Sequence, residues 1–272
     1  MRQADLIALL AQWLKSQRAV AGAFLGGSFG RGDADDYSDV DIYVVTAESA
    51  QIQTVANALA DGLDRVTSIL FSKTLPNART INAITTEWLR FDLTVVSPPE
   101  LAFLAKSELE PLFDRSGALE TIRHSDQQPP TPTPDHLLDI VNEFIRVLGL
   151  TVVVKGRDDV VVAQNGVELL RGMLIRVMVM ENRPQCRRGV LALRQDLTTD
   201  QFTVLAALPP LQANWPSIFA RTTAISREFL PRARRLAAEL GATWPEEFER
   251  VTRAHLGKQI GQAGLIPTRC EP

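Results

Sequence analysis

Residues 26–45 read GGSFGRGDADDYSDVDIYVV. A short apolar run, Val20 to Leu25, leads into this glycine- and aspartate-rich turn, and a β-branched run, Val40 to Thr46, leads out of it. Strand, turn, strand is the reading. Asp39 and Asp41 are two apart, so on a strand both carboxylates face the same side. Like charges so close repel unless a cation sits between them, and magnesium is the natural one because it takes hard oxygen ligands and keeps positions open for substrate phosphates. Asp92, in WLRFDLTVV, completes the set if its strand lies beside Val40 to Thr46. Gly27 lets the backbone approach a phosphate, Ser28 adds a hydroxyl, and Arg31 offers a planar fork to a phosphate oxygen, with Gly30 and Gly32 expected to keep the loop flexible. Taken singly these features have plainer explanations: a turn, a solvated or capping acidic run, an edge-strand carboxylate facing water. Together they would hold a nucleoside triphosphate with metal across its phosphates.

Working outward, the first half alternates strand-like and helix-like segments. MRQADLIALLAQWLKSQ has apolar residues at helical spacing and predicts an amphipathic first helix. A helix fits Ala47 to Leu63, and Val66 to Phe71 and Trp88 to Val96 read as strands, with ARTINAITTE between them as a further strand or hairpin arm. Pro98 and Pro99 end that region and start a helix over PELAFLAKS. Between Ser125 and Pro134 the sequence is SDQQPPTPTP, which cannot sit in a helix interior. Beyond it, DHLLDIVNEFIRVLGLTVVV, VELLRGMLIRVMVMEN and WPSIFARTTAISREFLPRARRLAAEL carry apolar residues at three and four spacing. The expected fold is α+β: a catalytic domain with a mixed sheet flanked by helices over 1–124, a linker over 125–134, and a helical bundle over 135–272. TVVV leaves a strand as the alternative for its stretch, and Pro231 should kink or divide its helix.

The chain has 272 residues, 45% of them hydrophobic and 22% charged, which suits two globular domains and excludes wholesale disorder. Its apolar runs fall short of the roughly 20 residues a membrane span needs. Residues 1–134 hold 11 Lys and Arg against 17 Asp and Glu, and residues 135–272 hold 18 against 15. An acidic first half needs a cation before it approaches any phosphate, which argues for metal and against nucleic acid. Cys186 and Cys270 lack zinc spacing, and the cytoplasm is the expected compartment.

Gly-Ser, ten residues, Asp-x-Asp, with a third carboxylate on a later strand, resembles the signature of the nucleotidyltransferase superfamily that includes DNA polymerase beta. The motif with its YSD before the strand, the RFDL strand, the length and the helical second half also resemble the lincosamide and aminoglycoside antibiotic nucleotidyltransferases. That resemblance implies transfer of a nucleoside monophosphate, AMP foremost, from a Mg2+-bound triphosphate to a hydroxyl of a small molecule, with release of pyrophosphate. It also implies Asp39, Asp41 and Asp92 as ligands of Mg2+, two ions in all, and a homodimer.

A base for the acceptor hydroxyl is missing from the motif. Asp135, Asp139 and Glu143 fall four apart on one helical face, and Glu143, flanked by Phe144, Ile145 and Leu148, is the candidate whose burial would raise its proton affinity. A solvated helix face is the plainer reading, and Glu168 or Asp92 is the alternative base. His136 reads as a capping or surface residue, His124 and His255 stand in no motif, and Trp215, Trp244 and Phe219 read as core, with the lining of an acceptor pocket as their alternative. Arg232, Arg234 and Arg235 read as a solvated helix face rather than an RNA site. Two further readings compete: nucleotidylation of protein or RNA, as in toxin and antitoxin nucleotidyltransferases, and a nucleotide-binding regulator without catalysis, which the presence of all three carboxylates opposes.

Overall fold

The computed structural model describes residues 1–48, 51–101, 106–122, 132–184, 191 and 193–267. The chain divides into two compact units, Met1–Gln127 and Gln128–Pro272. His124, most of the proline-rich stretch, Cys186 and Cys270 lie outside the described residues.

In the first unit, α1 (Gln3–Ser16) leads to β1 (Val20–Leu25), the short α2 (Gly27–Arg31), β2 (Val40–Thr46) and α3 (Ile52–Gly62). Then come β3 (Ile69–Thr74), β4 (Thr80–Thr85), β5 (Arg90–Val96), α4 (Pro98–Leu101), β6 (Glu110–Asp114) and α5 (Ala118–Thr121). The six strands form one mixed sheet in the order β3-β4-β5-β2-β1-β6. Among the described residues only β2 and β5 run parallel; the other pairings are antiparallel. Strict alternation in β2 and β5 sends Val40, Ile42, Val44, Phe91, Leu93 and Val95 to one face, where they pack with Leu6, Leu10 and Leu14 of α1 and Val55, Ala56 and Leu59 of α3. Among the described residues, a smaller cluster that includes Phe24, Val45, Val96, Leu101 and Leu109 closes one end of the opposite face. Asp41 and Asp92 belong to that second face and lie beyond its closed end, half-buried.

The second unit is helical among its described residues: α6 (Pro134–Gly156), α7 (Val160–Asn182), α8 (Leu193–Asp196), α9 (Thr199–Ala206), α10 (Trp215–Leu240) and α11 (Glu246–Ile260). α7 packs on both α6 and α10, and α11 packs on α6. Phe144 and Phe229 stack at the centre with ring centroids 3.7 Å apart, each burial contributing ~2–3 kcal/mol. Thr133, Asp159, Thr198 and Asn214 cap their helices through side-chain oxygens. Glu249, 4% exposed, is held by Arg234, by Arg253 at 3.0 Å and by the Trp244 indole at 2.7 Å. Among the described residues no helix is long and apolar enough to cross a membrane.

Several local expectations need correction. The strand expected over 66–71 is instead β3 over 69–74, because Leu63 to Arg65 close a 3-10 turn that delays it. The helix expected from Ala47 begins at Ile52. Trp88, placed in a strand, occupies a turn at φ 62° and is exposed. TVVV is helical, and α10 passes through Pro231 as one element. Buried Phe229, Leu230 and Ala233 flank that proline, and their packing outweighs the one hydrogen bond it removes. The arginines at 232, 234 and 235 are not merely solvated: they pair with Glu181, Glu228, Glu246 and Glu249.

Candidate active site

The register of the parallel pair sets the site. Asp41 is the direct partner of Asp92, so their carboxylates leave adjacent strands side by side, on strands spaced ~4.8 Å apart. On the other side of Asp92 the direct partner is Asn82 of β4, whose side chain bonds the Asp92 carboxyl. Asp39, half-buried, stands just before β2 and two residues from Asp41, which alternation places on the same face. Among the described residues no three His, Cys, Asp or Glu side chains are gathered closely enough to hold an ion as they stand; the in-register pair is the formed part.

The glycine-rich turn is a helix rather than a loop, and its glycines answer to contacts. Gly26 donates its N–H to the Asp41 carbonyl at 2.9 Å, which lays the start of α2 over β2. Gly27 has φ +55°, and a Cβ there would stand 2.0 Å from Oδ2 of Asp41. Only glycine lets the Asp41 carboxylate approach the backbone this closely. Gly30, expected to confer flexibility, is instead pressed against backbone: a Cβ would meet the Glu108 carbonyl at 2.1 Å and the Leu25 carbonyl at 2.6 Å. Gly32 ends α2 in the left-handed conformation, with open space around it. Ser28 lies in this helix, half-buried, and Arg31 at its end pairs with Asp33 at 3.3 Å.

The electrostatics follow from this crowding. Burial, then the charges of Asp39 and Asp92, push the Asp41 carboxyl up to about 6, against the opposing pull of Arg31 and Arg90. Asp92 is also raised, by burial first and by Asp39, while Asn82 and Arg90 oppose the shift. The Tyr43 phenol, next on the same face of β2 toward the closed end, is raised by burial and by the Asp41 charge. These carboxylates would gain from a cation, and oxygen donors in this arrangement fit a hard divalent one.

Sequence reasoning passed over Arg90 and Asn82. Alternation from Asp92 places Arg90 on the carboxylate face and was open to reading; Asn82 depends on hairpin register, which the sequence leaves free. Glu143 requires a correction. Phe144, Ile145 and Leu148 turn inward, so the Glu143 side chain faces outward, 43% exposed, and Arg146 grips both its oxygens at 2.6 and 2.7 Å. Its proton affinity is lowered, first by that bond, where burial was expected to raise it. Glu168 is likewise paired, with Arg171 and Arg221. His136 stands in the first turn of α6, its N–H donating to Thr133.

Residues 7–112 match the family profile of nucleotidyltransferase domains. The first unit is a nucleotidyltransferase domain. The match spans β1, α2, β2 and β5, and with them the Gly27, Asp39, Asp41 and Asp92 positions. No curated protein sequence matches the chain. Among solved structures, an aminoglycoside 6-adenyltransferase from Bacillus subtilis is similar at 14% identity and a TM-score of 0.42, over 94% of this chain and 98% of that one. A nucleotidyltransferase-like protein from Exiguobacterium sibiricum is similar at 14% identity and a TM-score of 0.34, over 94% and 87%. The Thermotoga maritima CCA-adding enzyme, solved with tRNA, is similar at 13% identity and a TM-score of 0.34, over 96% and 61%.

Proposed function

We propose that this nucleotidyltransferase moves AMP from ATP to a hydroxyl of a small molecule of the lincosamide or aminoglycoside type. The observation that carries this is the in-register Asp41 and Asp92 pair beneath Gly27, where the missing Cβ leaves one carboxylate against the start of α2. The acceptor oxygen attacks the α-phosphorus, the bond from that phosphorus to the bridging oxygen breaks, and pyrophosphate leaves with the electron pair. Asp39, Asp41 and Asp92 would hold Mg2+, which supplies positive charge to the triphosphate and its leaving group. Ser28 and Arg31 at α2 bind phosphate oxygens, Arg31 exchanging its Asp33 partner for them.

The acceptor proton needs a base. Glu143 remains a candidate as an ionised, solvent-facing carboxylate, though its Arg146 partner makes it a weak acceptor. Asp92, on the carboxylate face itself, is the second candidate. A small-molecule acceptor is supported over RNA by the ion pairing of Arg232, Arg234 and Arg235 within the helical unit. That unit also holds a cavity of about 190 Å³ with a largely apolar lining, including Leu150, Val154, Val162 and Ile218, which suits an acceptor with an apolar portion. The reading takes the enzyme as cytoplasmic and homodimeric. Incubation with labelled ATP or GTP, Mg2+ and a panel of lincosamides and aminoglycosides tests it: labelled acceptor and pyrophosphate in equal amounts are expected, and label transferred only to protein or RNA would replace it.

A further inference from the structure

Four successive carbonyls in the segment before Asp39 accept hydrogen bonds from side chains, and the donors belong to two distant elements. Nε2 of Gln3, at the start of α1, donates to the Asp36 carbonyl at 2.9 Å and the Asp35 carbonyl at 3.2 Å, with a longer reach of 3.4 Å to that of Ser38. Nη2 of Arg90, at the start of β5, donates to the Tyr37 carbonyl at 2.8 Å. Inside the segment, Oδ1 of Asp35 accepts from the Tyr37 N–H at 2.9 Å and from the Ser38 hydroxyl at 3.0 Å, while that hydroxyl accepts from the Asp35 N–H. The next residue is Asp39.

Asp39 repels Asp41 and Asp92. A chain free to move before Asp39 would relieve that repulsion by swinging the carboxylate outward, and a cation would then have to draw it back. Side-chain clamps on the preceding carbonyls remove this freedom before any ligand arrives, which is the physical content of preorganisation. We infer that Gln3 and Arg90 are positioning residues that clamp the Asp35–Ser38 segment between α1 and β5 and so fix the backbone from which Asp39 projects, leaving a divalent cation only the Asp39 side chain to draw toward Asp41 and Asp92. The inference rests on the proposed metal-dependent transfer and adds two residues to it. Gln3 is the cleaner half, because it carries no charge. Arg90 acts in two opposed ways: its charge repels a cation, and its hydrogen bond orders the segment that binds one.

The opposition gives the test its sign. Mn2+ binding to the full chain is measured by calorimetry, with hydrogen exchange of residues 35–39 followed in EDTA. Gln3→Ala is expected to speed exchange of the Tyr37 and Ser38 amides and to weaken Mn2+ binding by ~10-fold, the lower end for loss of a group that orients a metal ligand. Its melting temperature should stay within ~3 °C of wild type, since exposed hydrogen bonds contribute little. With nucleotide and metal as substrates, the KM for the metal–triphosphate should rise while turnover at saturation stays within about threefold, a split that simple loss of folded protein does not produce. Arg90→Gln is expected to bind Mn2+ more weakly despite losing a repelling charge, and Arg90→Lys to recover part of the loss. Unchanged exchange and Mn2+ affinity in Gln3→Ala, or tighter Mn2+ binding by Arg90→Gln, would overturn the clamp while leaving the transfer reading intact. Wild-type protein that binds no Mn2+ would overturn the metal reading and the clamp's role with it.

Discussion

Replacing Asp41 by Asn should stabilise the metal-free protein at neutral pH. The carboxyl lies at about 6 against an ordinary 3.8, raised by burial and by Asp39 and Asp92. For an acid raised on folding, the folded state holds the proton more tightly, so the unfavourable contribution is absent below pH ~4, grows between pH ~4 and ~6, and is complete above. At 1.36 kcal/mol per pH unit the full cost is ~3 kcal/mol, and solvent reaching this half-buried group reduces it to ~1–2 kcal/mol. Asparagine keeps the shape and removes the charge. Urea denaturation in EDTA from pH 4 to 8 should therefore show Asp41→Asn more stable than wild type by ~1–2 kcal/mol at pH 7.5, with the advantage vanishing near pH 4. Added Mg2+ should narrow the gap at pH 7.5 by stabilising only the wild type. An Asp41→Asn protein no more stable than wild type at pH 7.5, or equally advantaged at pH 4, would mean that the Asp41 charge is not held at a cost.

Gly27→Ala places a Cβ 2.0 Å from Oδ2 of Asp41 at a φ of +55°; it should cost ~1–3 kcal/mol in denaturation and abolish transfer, by strain and by displacing the carboxylate. Glu249→Ala leaves Arg234 and Arg253 facing a buried site without their shared carboxylate, and should destabilise the helical unit by ~3–5 kcal/mol, read as an earlier loss of helical circular dichroism. Glu143→Gln removes an exposed, Arg146-paired group and should leave stability unchanged; if Glu143 is the base, turnover falls by ~10² with triphosphate binding kept, and if Asp92 is the base, turnover is retained.

The carboxylate strands were legible because β2 and β5 alternate strictly: Val40, Ile42, Phe91 and Leu93 must face a core, and that fixes the side on which Asp41 and Asp92 stand. The long helices were legible from three and four spacing, and WPSIFARTTAISREFLPRARRLAAEL is α10 from end to end. β6 was not, because EPLFD is short, contains proline and takes its place by pairing with β1 at the sheet edge, with Leu112 and Phe113 against a core the sequence does not reveal. The α11 helix was hidden by its polarity: charged residues dominate EEFERVTRAHLGKQI, and its packing turns on Thr252, Leu256 and a buried Glu249 that the sequence cannot show to be neutralised. In the site, the glycines were assigned to phosphate approach and flexibility, whereas Gly27 and Gly30 are fixed by contacts with residues 41 and 108, distant in sequence. Glu143 failed the burial expectation because neighbours in sequence on a helix point to different faces.

Everything proposed for this enzyme turns on nucleotidyl transfer at the Asp39, Asp41 and Asp92 face. Acceptor-dependent release of pyrophosphate from ATP, followed in Mg2+ for wild type and for Asp41→Asn, tests it most directly. One pyrophosphate is expected for each acceptor modified by the wild type, with loss of at least ~10³ in rate for a variant that is folded and more stable than its parent. Equal pyrophosphate release by Asp41→Asn and wild type would contradict it.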